Sequence, residues 1–66
     1  MRHEGVISDR REAVLDVFAL RFLTVPDVVQ RVVGSTDRLD VLRAWHQAVV
    51  LAPDAQAAAD AILLRR

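Results

Sequence analysis

The hydrophobic positions of this chain recur at helical spacing. From residue 9 onward most apolar positions lie three or four residues apart, as on one face of a helix. The pattern predicts four helices, at about residues 9–23, 25–33, 37–51 and 54–65. Residues 1–8 lack this periodicity, and we expect them to form a flexible leader. The expected fold is all-α: one helical domain over residues 9–66, a small bundle of three to four short helices completed by dimerisation.

Capping residues suggest where the first two helices begin and end. Asp9 and Glu12 match a capping box at the start of the first helix. Thr24 is expected to cap the second helix, with Pro26 in its first turn. Gly34 is expected just after its last residue. The valine-rich segment "DVVQRVV" leaves a strand open as an alternative there, because β-branched residues are restricted in a helix.

The last two helices have their own boundary signals. Ser35, Thr36 and Asp37 offer several caps for the third helix. Pro53 is expected to end that helix, and Asp54 to start the alanine-rich fourth one.

The first helix carries more apolar residues than one buried face requires. Val17 and Leu20 lie among the charged positions of that helix. In a chain of 66 residues, of which 53% are apolar, this surplus suggests burial against another chain. We therefore expect a homodimer. The residues predicted for its interface are Val17, Leu20, Phe18, Phe22 and Trp45.

Charge and residue types argue against several functions. Nine basic and nine acidic residues give a net charge of zero, which is unlike a nucleic-acid-binding patch. All the basic residues are Arg, so sites that need a lysine are excluded, and there is no Cys. His46 has no histidine partner at helical spacing, and Ile7 stands where an HExxH motif needs its second histidine. We expect no enzyme activity, no cofactor and no metal.

The expected location is the cytoplasm. No uncharged apolar run is long enough to cross a bilayer, which takes about 20 residues. The first residues also lack the apolar centre of a signal peptide.

One segment, "AVLDVFALRFLTVPDVVQRVVGSTDRLDVLRAWHQAVV" (residues 13–50), resembles the C-terminal helical tail of the Rpn-type recombination-promoting nuclease and transposase family. The resemblance covers about two-thirds of the chain. The features that carry it are Arg21-Phe22, Val25-Pro26-Asp27, Leu39, Leu42, Trp45-His46 and Ala48-Val49. Leu23 departs from the family pattern, which tends to have glycine at this step. The nuclease domain has no counterpart in this sequence, so no catalytic residue is carried over.

The resemblance implies a helical assembly or partner-binding module without chemistry of its own. A homodimer that binds the tail of a full-length Rpn-type nuclease and modulates it is the function we expect. The alternatives are a small DNA-binding or antitoxin-like regulatory protein and a domain fragment with no independent role. A helix-turn-helix fits DNA poorly. Its recognition helix would start near Asp37, and Asp37 and Asp40, which would repel DNA phosphates, alternate there with Arg38 and Arg43. A DNA-binding dimer would have to pair Arg10, Arg11 and Arg38 across its axis.

Overall fold

A computed structural model describes residues 3–64 of the chain, and the side chains of residues 5–64. These residues form four helices: α1 (His3–Phe22), α2 (Asp27–Ser35), α3 (Leu39–Leu51) and α4 (Ala55–Leu64). The described residues contain no strand, so the expected all-α fold is confirmed and the strand alternative for α2 is wrong.

All four helices contribute to a single core. Each helix provides buried apolar residues three or four positions apart, which places them on one face. These residues are Val14, Phe18, Val29, Val33, Leu42, Trp45, Val49, Ala58 and Ile62, with Ala52 after α3. Trp45 is the largest of them, and no polar or charged side chain of the described residues is buried.

Helices α1 and α3 run in the same direction, and two arginines of α1 mark the alignment. Arg11 Nε donates a hydrogen bond to the carbonyl oxygen of Thr36, just before α3, over 2.7 Å. Ten residues later, Arg21 Nη1 donates to the carbonyl oxygen of Ala52, just after α3, over 2.6 Å. The start of α3 therefore lies beside the middle of α1, and the two helices end together.

The leader predicted for residues 1–8 is largely helix. Residues 3–8 belong to α1, so Asp9 and Glu12 lie inside the helix and do not form the predicted capping box. Residues 1–2 and the end of the predicted fourth helix at Arg65 lie outside the described residues.

The predicted caps of α2 are also wrong. The helix begins at Asp27 after Pro26, with no side-chain hydrogen bond at this cap, so Thr24 does not cap it. Gly34 lies within the helix and has no positive φ. The C-cap is Thr36, whose hydroxyl donates to the carbonyl oxygen of Val32 over 2.8 Å.

Only one of the boundaries around α3 and α4 has the predicted cap. The residue before α3 is Arg38, with no side-chain cap, so none of the three predicted residues, Ser35, Thr36 and Asp37, caps this helix. Asp54 does cap α4, because its Oδ1 accepts a hydrogen bond from the backbone N–H of Ala57 over 2.8 Å.

Candidate interaction surface

The structure separates the five residues predicted for the interface into two groups. Phe18 and Trp45 are 0% and 1% exposed and belong to the core of a single chain, so they cannot contact a partner while that core is intact. Val17 and Phe22 are half-buried and pack against the core. Leu20 is 81% exposed. Of the five, Leu20 is the residue most available to another molecule.

Leu20 belongs to a line of residues along the outside of α1. On a helix of 100° per residue, positions separated alternately by four and three residues fall within a sector of about 80°. We call this line the α1 seam, and its members are Val6, Arg10, Ala13, Val17 and Leu20. Val6 is 39% exposed, whereas Arg10, Ala13 and Val17 are half-buried. The seam therefore holds apolar side chains that the core leaves partly or wholly uncovered.

The seam lies beside the face that α1 presents to the core, and of its members Val17 also packs against that core. Val14 and Phe18 are fully buried, and they lie on the next sector of the helix. An open depression lined by Val6, Asp9, Arg10 and Ala13 runs along the N-terminal half of the seam. Ala13 leaves room there for the side chain of another molecule.

The ends of α1 and α3 expose further apolar residues. Leu23 and Leu51 are 86% and 80% exposed, and Val50 is 45% exposed. His46 and Gln47 line a second open depression together with Val50 and Leu51. These residues were missed by the sequence analysis, because helical spacing alone does not show which apolar positions a short helix leaves outside the core.

Leu23 also has an unusual backbone conformation. Its φ is +74°, and its N–H donates to the carbonyl oxygen of Ala19 over 2.8 Å, closing the last turn of α1. Glycine normally occupies such a position because its lack of a β-carbon removes the steric cost. The chain therefore makes this turn with a leucine, a residue with a β-carbon.

Arg21, which lies beside the seam on α1, is bonded to the end of α3. Its Nη1 donates to three carbonyl oxygens, those of Val49 (2.7 Å), Val50 (3.0 Å) and Ala52 (2.6 Å). The guanidinium carbon also lies 4.8 Å from the centre of the Phe22 ring. A positive charge at this place favours the negative end of the α3 dipole. Arg21 thus connects α1, at the residue after Leu20, to the end of α3.

The arginines that the DNA-binding alternative needs are partly engaged within the chain. Arg11 is bonded to the Thr36 carbonyl, and Arg38 pairs with Asp40 over 3.3 Å at the surface. Among the described residues, no group of three or more His, Cys, Asp or Glu side chains lies close enough to hold a metal ion.

No helix of the described residues is both long and apolar enough to cross a membrane.

Comparisons with known proteins leave the family of this chain open. No protein-family model matches it. No curated protein is significantly similar to it. No solved structure matches its fold significantly.

Proposed function

We propose that this protein is a non-catalytic helical module that assembles with itself through the α1 seam. The observation that carries the proposal is the exposure of Leu20, 81%, in line with the half-buried Val17 and Ala13. Burying one large aliphatic side chain contributes about 1.5–3 kcal/mol. A homodimer buries two copies of each such residue, and this gain favours association of a small domain.

The first test is the mass of the protein in solution. The wild-type chain is expected near twice 7.4 kDa by light scattering across a dilution series. Leu20→Asp changes an exposed side chain and is expected to give a folded monomer, because a carboxylate cannot be buried unpaired in an apolar contact. Val17→Asp together with Leu20→Asp is expected to do so more completely.

Leu64→Asp is the matched control, because Leu64 is as exposed as Leu20, at 80%, but lies on α4. Its mass is expected to equal that of the wild type. Helical circular dichroism and the fluorescence of the single tryptophan, Trp45, report whether each variant is folded. A wild-type monomer at every concentration would overturn the homodimer, and an unchanged Leu20→Asp dimer would move its interface away from the seam.

The partner part of the proposal is binding to the helical tail of a full-length Rpn-type nuclease. Its support is the resemblance of residues 13–50 to that tail. A module of this kind modulates the enzyme by occupying the surface through which the enzyme assembles. Adding the wild-type protein to such a nuclease is expected to change its activity and mass, and Leu20→Asp is expected to reduce both effects. Equal effects of wild type and Leu20→Asp would argue against the seam as the nuclease-binding surface.

A further inference from the structure

The two flanks of the α1 seam carry opposite charge. Asp9 and Asp16 lie on one side of the seam, on the flank away from the core. Arg21 lies on the other side, next to the core, and Arg10 lies at that edge of the seam. The order across α1 is therefore acidic flank, apolar line, basic flank.

The charges on the acidic flank have no opposite charge bonded to them within the described part of the chain. In those residues the ion pair is Arg38–Asp40, which lies at the start of α3. Arg21 makes all three of its hydrogen bonds to described residues through Nη1, which leaves its Nε and Nη2 for a carboxylate.

We infer that a second copy of this chain packs on the seam, with the two α1 helices parallel and in register. The inference rests on the proposed self-assembly and specifies its geometry. The seam has the spacing of a coiled-coil contact, in which Val6, Ala13 and Leu20 recur every seven residues. In a parallel, in-register pair each seam residue faces its own copy, so Arg10 also faces Arg10 of the second copy.

Charge complementarity decides between the parallel and antiparallel pairs. The two-fold axis of a parallel pair places the acidic flank of one copy against the basic flank of the other. Asp16 then lies beside Arg21 of the second copy, and Asp9 lies beside Arg10 of the second copy, on both sides of the dimer. These four contacts between opposite charges outnumber the single contact between like charges, Arg10 with Arg10. Pairs of this kind determine the orientation of coiled-coil helices.

An antiparallel pair brings together the two acidic flanks instead. When the antiparallel pair is centred on Ala13, Asp9 of each copy is level with Asp16 of the other copy. The two residues also lie on the same side of the dimer. Like charges in direct opposition are destabilising, and this arrangement has two such contacts. The same seam therefore disfavours the antiparallel dimer.

Single cysteines test the orientation cleanly, because the chain contains none. Val6→Cys and Leu20→Cys place a thiol near each end of the seam. In a parallel dimer each variant is expected to form a disulfide-linked homodimer under mild oxidation, since a disulfide requires β-carbons about 3.5–4.5 Å apart. Glu12→Cys is the control, because Glu12 is exposed on α1 but off the seam.

Mixing the two cysteine variants distinguishes the orientations. Positions 6 and 20 are about 21 Å apart along a helix, so a parallel pair cannot link one to the other. An antiparallel pair links only these two positions. Disulfides formed by each variant with itself, and none between the two variants, would support the inference. A mixed disulfide, or linking no faster than for Glu12→Cys, would overturn it.

Asp16→Arg provides a second measurement that needs no cross-link. The introduced guanidinium lies beside Arg21 of the other copy in the parallel dimer, and we expect the dissociation constant to rise about tenfold. Asp37→Arg is the control, because it changes the net charge equally at an exposed position outside α1. A lower dissociation constant would indicate the antiparallel pair, and an unchanged dissociation constant would indicate that a different surface forms the dimer. Either result would overturn the parallel arrangement but leave the proposed self-assembly in place. A monomeric wild type would instead remove the self-assembly itself.

Discussion

Arg21 holds the C-terminal end of α3 through the carbonyl oxygen of Ala52, which lies 2.6 Å from its Nη1. The same nitrogen donates to Val49 and Val50. The last carbonyl groups of a helix have no partner within the helix, and a cation beside them also favours the helix dipole. One side chain of α1 thus completes the end of α3 and aligns the two helices.

Arg21→Met is expected to destabilise the fold by about 1–3 kcal/mol, because it removes hydrogen bonds from a charged donor and keeps a long apolar side chain. Urea unfolding followed by Trp45 fluorescence measures the loss. Arg31→Met is the control, since Arg31 is exposed on α2 and its side chain makes no hydrogen bond or ion pair among the described residues. Equal stability of the two variants would show that the carbonyl contacts of Arg21 contribute little.

Leu23→Gly is expected to stabilise the protein by about 0.5–1 kcal/mol, because glycine adopts the positive φ of +74° without the steric cost of a β-carbon. Leu23→Ala keeps the β-carbon and is expected to leave the free energy of unfolding close to that of the wild type. Unfolding is measured at two protein concentrations, since Leu23 is exposed and a change in self-association would depend on concentration. A less stable glycine variant at both concentrations would contradict the strain argument.

Apolar spacing predicted the existence and order of the helices, because each helix must place its large side chains on one face to form a core. Leu42, Trp45 and Val49 are buried as their spacing in α3 predicts. Helix starts and ends were predicted poorly. Several Ser, Thr and Asp residues lie near each boundary, and tertiary contacts decide which of them is used. The Thr36 carbonyl, for example, accepts a hydrogen bond from Arg11, twenty-five residues away in the chain.

The candidate surface could be predicted only in part. The surplus of apolar residues on the first helix led to the prediction that Leu20 lies in an interface, and within the single chain Leu20 is 81% exposed. The same reasoning included Phe18 and Trp45, which are enclosed by other helices. Helical periodicity assigns residues to a face, but it does not show which of two apolar faces the rest of the chain covers. In α1, packing against α3 decides which of the two apolar faces is buried.

Asp54→Ala is expected to cost about 1 kcal/mol, because it removes the side-chain acceptor for the Ala57 N–H at the start of α4. Asp37→Ala is the matched control: Asp37 also precedes a helix, but α3 has no side-chain cap. Its free energy of unfolding is expected to stay within about 0.5 kcal/mol of the wild type. Urea unfolding of both variants checks the prediction, and an equal loss for the two would show that proximity to a helix start, rather than the hydrogen bond, matters.

Ala58 and Ala55 give the last test, which concerns the packing of α4. Ala58 is fully buried, whereas Ala55 is exposed at the start of the same helix. Ala58→Leu adds volume to a filled core and is expected to cost about 1–3 kcal/mol. Ala55→Leu adds the same atoms to the surface and is expected to change stability little, because alanine and leucine have similar helix propensities. Thermal unfolding by circular dichroism measures both. If Ala58→Leu proved as stable as Ala55→Leu, α4 would have to pack loosely against the core rather than in the close contact that the buried alanine indicates.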